Sequence, residues 1–182
     1  MELKEFLQQN QSKLLELWLN KFWDDFGESA YYFKKEIDPF TNPFGYHIRV
    51  AFEKILKALI EELNWDEIDE ALQKLAQIRA VQENIPSKAG KLFLILKGII
   101  RENLGKEILK NFGISSLLNL EDKINVLMLR YFDFYQAYRE RLYELKVEEF
   151  KRNNFLLLKR AGLIEESFKI PLEEDLYHHK KQ

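Results

Sequence analysis

Apolar residues return at intervals of three and four along almost the whole chain, and little interrupts them. That rhythm belongs to amphipathic helices laid one after another. Seven glycines and four prolines in 182 residues are too few turn-formers for a many-stranded sandwich or barrel. The expected fold class is all-α. With 46% hydrophobic and 32% charged residues, the chain suits one compact domain with a substantial core.

A first helix is expected over roughly Ser12 to Phe26, with Leu14, Leu15, Trp18, Leu19 and Phe22 on one face and Gly27 as its stop. Pro39 and Pro43 cannot sit inside one helix, so the stretch around them is expected as an ordered turn. A second helix then runs to about Leu63 on the stripe Ile48, Phe52, Ile55, Leu56 and Leu59. Asp66 is expected to cap a third, roughly Glu67 to Glu83.

After a break at Asn84 to Pro86, a fourth helix over about Ser87 to Leu104 carries the run Leu92-Phe93-Leu94-Ile95-Leu96. Apolar on nearly every side, it is the expected centre of the fold. A short helix is expected from Gly105 to about Phe112-Gly113. The last and longest begins near Leu120-Glu121 and reaches Arg160, with Gly162 as its stop. Residues 1–162 thus read as a single helical domain and 163–182, where periodicity is lost, as a flexible tail.

Several function classes are disfavoured at once. The absence of cysteine removes disulfides, thiol chemistry and Cys-ligated metals. A net charge of −2 offers no field for a nucleic-acid backbone. No signal peptide opens the chain, and no apolar run approaches the roughly 18 residues of a membrane span, so a cytoplasmic protein is expected. Of the three histidines, His178 and His179 fall in the tail, which leaves no His-rich metal site. His47 could serve haem as a proximal ligand, but it projects off the stripe of its helix and is expected at the surface. Glu61-Glu62, Glu165-Glu166 and Glu173-Glu174 read as solvated, and Ser115-Ser116 has no nucleophile elbow around it. No catalytic residue, metal or cofactor is expected.

Polar residues on apolar faces are more informative. The stripe Ile68, Leu72, Leu75 of the third helix continues into Arg79 and Gln82, and on the fourth Lys97 falls between Phe93, Leu94 and Leu104 in projection. An inward Arg needs a carboxylate, a carbonyl or a ligand, because an unpaired buried charge is costly. Either the three residues line a polar pocket for an anionic or other small ligand, or Arg79 pairs with an acidic neighbour, Gln82 caps a helix end and Lys97 snorkels. In the last helix, Met128, Tyr131, Tyr135, Tyr138, Leu142 and Leu145 follow a 3-4-3-4-3 spacing. That heptad seam is either one face of a buried helix or a dimer interface.

Local blocks then carry a family resemblance. Asp38-Pro39-Phe40-Thr41-Asn42-Pro43-Phe44-Gly45-Tyr46, Ile78-Arg79-Ala80-Val81-Gln82, Pro86-Ser87-Lys88-Ala89 and Leu96-Lys97 follow one another in the order found in the N-terminal domain of RsbRD-type RsbT co-antagonists. Tyr138 to Tyr143 and Glu148 to Arg152 resemble the end of that domain, and the likeness covers about Leu14 to Arg160. It implies a globin-like, all-α domain without haem that dimerises through long helices and receives a signal ahead of a STAS domain. Here only a short tail follows, so the chain is expected to act without a STAS domain. Ile85 stands where family members often carry a hydroxyl residue, so either Ser87 caps the fourth helix or the cap is lost.

The resemblance places Arg79, Gln82, Ser87, Lys97, Asn42 and Tyr46 in signature blocks, as candidates for ligand or partner binding. The expected function is that of a non-catalytic, homodimeric regulatory domain acting through a protein partner or a small ligand. The alternative is a carrier or sensor of an anionic small molecule at Arg79, Gln82 and Lys97. A haem gas sensor built on His47 comes third.

Overall fold

A computed structural model describes residues 2–24, 26–27, 30–35, 38–61, 65–83 and 85–163. The described residues form six helices and no strand: α1 (Leu3–Asp24), α2 (Ala30–Lys35), α3 (Pro43–Ile60), α4 (Trp65–Gln82), α5 (Pro86–Phe112) and α6 (Ile114–Arg160). The all-helical class and the long last helix are as the sequence foretold. The chain groups into two compact units, Met1–Arg139 and Glu140–Gln182. The expected tail with His178 and His179, the pairs Glu165-Glu166 and Glu173-Glu174, and Glu62, Leu63 and Asn84 lie outside the described residues.

Local chemistry explains most boundaries. The Asp38 carboxylate accepts the N–H groups of Phe40 and Thr41 at 3.0 and 2.8 Å, which makes the proline-bearing stretch an ordered turn, as expected. Asn42 then caps α3, its Oδ1 accepting the Gly45 N–H at 2.8 Å, and Pro43 occupies the first helical turn. α1 starts nine residues earlier than Ser12. The Glu5 side chain reaches back to the Glu2 N–H at 3.0 Å, and Phe6 and Leu7 are buried. Asp66 lies inside the first turn of α4 rather than capping it, where its negative charge still suits the helix dipole.

Two breaks expected from the sequence do not occur. α5 passes through Gly105 to Phe112, because Ile108 beyond it is buried and the Phe112 ring meets Phe6 at 5.7 Å. Burial there outweighs the low helix propensity of glycine, about 1 kcal/mol. α6 begins at Ile114 rather than near Leu120, directly after Gly113 turns the chain at φ +81°. The first turns of α6 are held by Leu117 and Leu120, both buried.

The core of the first unit centres on Trp18. It is fully buried, its ring stacks on Phe52 of α3 at 3.8 Å, and its Nε1 donates to the Leu92 carbonyl of α5 at 2.8 Å. α5 buries one face, with Leu92, Phe93, Leu96, Ile99, Ile100 and Leu104, but it is not enclosed on nearly every side as expected, since Lys91 is exposed and Leu94 is 56% exposed. α6 packs against α5 through Phe93 and Tyr131, whose rings lie 5.2 Å apart. Arg130 of α6 grips Asp69 of α4 with two nitrogens and lies over the Trp65 ring at 4.9 Å.

Gly90 and Gly98 sit two turns apart on α5 with opposite surroundings. A Cβ at Gly90 would overlap the Phe132 ring, whereas nothing lies within 4 Å of one at Gly98. Gly90→Ala should therefore destabilise the protein by about 1–3 kcal/mol through overpacking. Gly98→Ala should stabilise it by roughly 0.5–1 kcal/mol through helix propensity. Urea unfolding followed by circular dichroism measures both, and equal effects would contradict this packing.

Candidate functional site

The corner between α4 and α5 gathers the most unusual side chain of the fold. Arg79 is 7% exposed, and its guanidinium lies 5.5 Å from the Phe22 ring centre and 5.7 Å from that of Phe26. Its Nε has no hydrogen-bond partner. No carboxylate among the described residues forms an ion pair with it, so the acidic partner that the sequence allowed is not among them. Two aromatic faces replace it, each worth on the order of 1 kcal/mol or more when desolvated. The guanidinium is also close enough to act on Tyr131. Burial pushes that phenol far above its ordinary value, and the charge of Arg79 opposes the push.

Carbonyls at the end of α4 are satisfied from α6. Tyr135 donates to the Glu83 carbonyl at 2.5 Å, and Arg139 Nη1 to that of Ala80 at 2.9 Å. Tyr131 donates to the Ala89 carbonyl at 3.2 Å in the first turns of α5. These bonds are the physical content of the aromatic spacing in α6. Tyr131 and Tyr135 are 0% and 1% exposed, so they belong to the core of their own chain rather than to a dimer seam. A 3-4 repeat is common to any core-facing helical stripe, and it could not distinguish the two. Met128, Tyr138 and Leu142 are half-buried and Leu145 is 45% exposed.

The three polar residues expected around one pocket each have surroundings of their own. Lys97 donates to Asn125 Oδ1 at 3.0 Å and lies 3.8 Å from Glu121. Glu121, buried itself, is held by two nitrogens of Arg101, which keep its carboxyl below the ordinary value against the opposing effect of burial. Lys97 thus ties α5 to α6 instead of snorkelling. Gln82 is exposed at the last position of α4. Asn42 is buried as the cap of α3, and Tyr46 is half-buried with its ring 5.6 Å from His47. Ser87 is exposed and caps nothing. Ile85 stands at the N-cap of α5 without a side-chain bond, so the cap is lost.

A groove that the sequence did not point to opens between α3 and α4, with a volume of about 370 Å³. Val50, Ala51 and Ala71 line it with apolar groups, and His47, Lys54, Glu70, Gln73, Lys74, Gln77 and Tyr138 supply polar ones. His47, expected at the surface, is half-buried here. α3 packs on α1 on one side and α4 on another, which covers a wider arc of the helix than its apolar stripe alone. Partial burial and the nearby charge of Lys74 hold the imidazole below its ordinary value. Among the described residues no three His, Asp or Glu side chains gather to hold a metal, and no helix is long and apolar enough to cross a membrane.

Of the signature polar residues, Lys97 and Arg79 reach side chains of another helix, Asn42 caps its own, and Gln82 and Ser87 are exposed. The chain belongs to the family described as the RsbT co-antagonist protein rsbRD N-terminal domain, whose model matches residues 12–149. No curated protein and no solved structure matches it.

Two substitutions probe these contacts. Glu121→Gln should cost about 1.5–3 kcal/mol at pH 7, the worth of a hydrogen bond to a charged group. Because the folded carboxyl is depressed, its stabilisation is full above the ordinary value of 4.5 and fades as pH falls through the lower folded value. The gap between wild type and variant, followed by urea unfolding at pH 7, 5 and 3, should therefore narrow toward acid. Arg79→Met keeps the length and apolar stem but removes the charge. With no carboxylate among the described residues to orphan, its stability should stay within about 1 kcal/mol of wild type or rise above it. A loss of several kcal/mol would mean that the guanidinium charge itself holds the corner.

Proposed function

We propose that this domain acts by binding rather than by catalysis, as a homodimeric regulatory module whose second copy seats on the distal part of α6. Membership of the rsbRD N-terminal domain family supports the regulatory role. One observation carries the choice of surface. In the unit from Glu140 onward, Tyr143, Val147, Phe150, Asn154 and Leu157 follow one another at intervals of 4, 3, 4 and 3, the period of a coiled-coil seam.

The large apolar members of this seam are exposed to solvent. Tyr143 is 54% exposed, Val147 51%, Phe150 69% and Leu157 61%. A row of that kind on a single helix has no stable place in water, and it is the pattern through which two helices zip together. Asn154 falls at a position where a lone polar residue sets register and oligomeric state at some expense of stability. Its Nδ2 donates to the Phe150 carbonyl at 2.9 Å, leaving its oxygen for a partner. Flanking charges of both signs, Glu144, Lys146, Glu148 and Lys151 among them, raise no like-charge barrier between copies. In this reading a regulatory partner protein meets the paired form.

Multi-angle light scattering across a concentration series tests the reading. The wild type should elute as a dimer, and Phe150→Glu should shift it to monomer with unchanged helicity of the first unit. Asn154→Leu should strengthen association while admitting higher oligomers. A wild type that stays monomeric at high micromolar concentration would sink the proposal.

A further inference from the structure

The groove between α3 and α4 holds an unbalanced charge. Of its two lysines, Lys54 is matched: its Nζ lies 2.7 Å from Glu70, which it keeps below the ordinary carboxylate value. Lys74, one turn further along α4, has no ion-pair partner among the described residues. Its charge acts on the facing His47 imidazole and, together with burial, discourages that ring from holding a second proton. The groups around His47 are thus the Lys54–Glu70 pair, Lys74, the Tyr138 hydroxyl of α6 and the adjacent Tyr46 ring. None of them supplies an uncommitted negative charge.

We propose that this groove is a binding site for a small organic anion, one carboxylate on a compact apolar body. The carboxylate is recognised by Lys74 and His47 and oriented by Gln77 and Tyr138, while Ala51 and Ala71 bed the apolar part. Its volume of about 370 Å³ falls within the range of small-ligand sites. The methyl-lined floor favours a hydrocarbon body over a bare inorganic ion, whose hydration shell gains nothing from such a surface. An incoming carboxylate also reverses the electrostatic sense at His47. The repulsion from Lys74 is offset, the ring takes up a proton, and affinity rises as pH falls. The inference names a ligand class for the regulatory role proposed above and rests on that role.

The probe is 4-fluorobenzoate, followed by its fluorine resonance on the full chain, with 4-fluorobenzamide as the neutral counterpart and inorganic phosphate as competitor. Saturable benzoate binding is expected, with the amide much weaker and phosphate a poor competitor. Lys74→Gln, an exposed change compatible with folding, should weaken benzoate roughly fivefold, the worth of about 1 kcal/mol for one solvent-accessible ion pair. Affinity should increase from pH 8 to pH 6 in the wild type and stay flat in His47→Gln. Absence of saturation, equal binding of benzamide, or displacement by equimolar phosphate would each overturn the proposal. Light scattering on the same samples reports association separately, so a groove that ignores the probe and a chain that fails to dimerise are distinct results.

Discussion

The indole of Trp18 is the point at which three helices are fastened by two kinds of force. Its face lies on Phe52 at 3.8 Å and its nitrogen donates to the Leu92 carbonyl, so one side chain fixes both the spacing of α1 from α3 and its register along α5. Aromatic burial contributes the larger energy, but it is tolerant of small slides. The hydrogen bond is not, because a buried indole N–H that loses its acceptor costs about 1–3 kcal/mol. With α1 placed in this way, Phe22 falls one turn on at the spot where the guanidinium of Arg79 needs an aromatic face.

Arg79 is a buried charge with which no carboxylate among the described residues pairs. Two phenyl faces, the neighbouring Tyr131 hydroxyl and its own aliphatic stem make an environment that is polarisable rather than ionic. The unpartnered Nε is the residual penalty. Glu121 illustrates the opposite solution, a carboxylate surrounded by Arg101 and Lys97. The α5–α6 contact at Glu121 therefore weakens in acid.

How much of this was legible in the sequence depended on whether the deciding interaction was local. The proline turn between Asp38 and Gly45 is read from neighbours in the chain, whereas α1 ends at Asp24, three residues before the expected stop at Gly27. The continuation of α5 through Gly105 was not legible, because it depends on Phe112 meeting Phe6, more than a hundred residues away. Arg79 and Lys97 were recognisable as misplaced polar residues, yet the pattern could not say that one meets rings and the other an amide. The groove leaves no mark in the sequence because its lining comes from three helices, and the stripe of its own helix alone places His47 at the surface. The heptad spacing expected as a seam falls on the face of α6 that carries Tyr131 and Tyr135. The exposed apolar row from Tyr143 onward uses the same spacing with a different phase, and only burial tells the two apart.

The bonds from α6 to the end of α4 have a mechanical meaning. Tyr135 and Arg139 stand one helical turn apart and hold two carbonyls of one short segment, Ala80 and Glu83. Two anchors so spaced prevent α6 from rotating about its own axis unless the end of α4 moves with it. A rotation of α6 about its axis would therefore strain both bonds at once, and the last anchor, Arg139, is the final residue of the first unit.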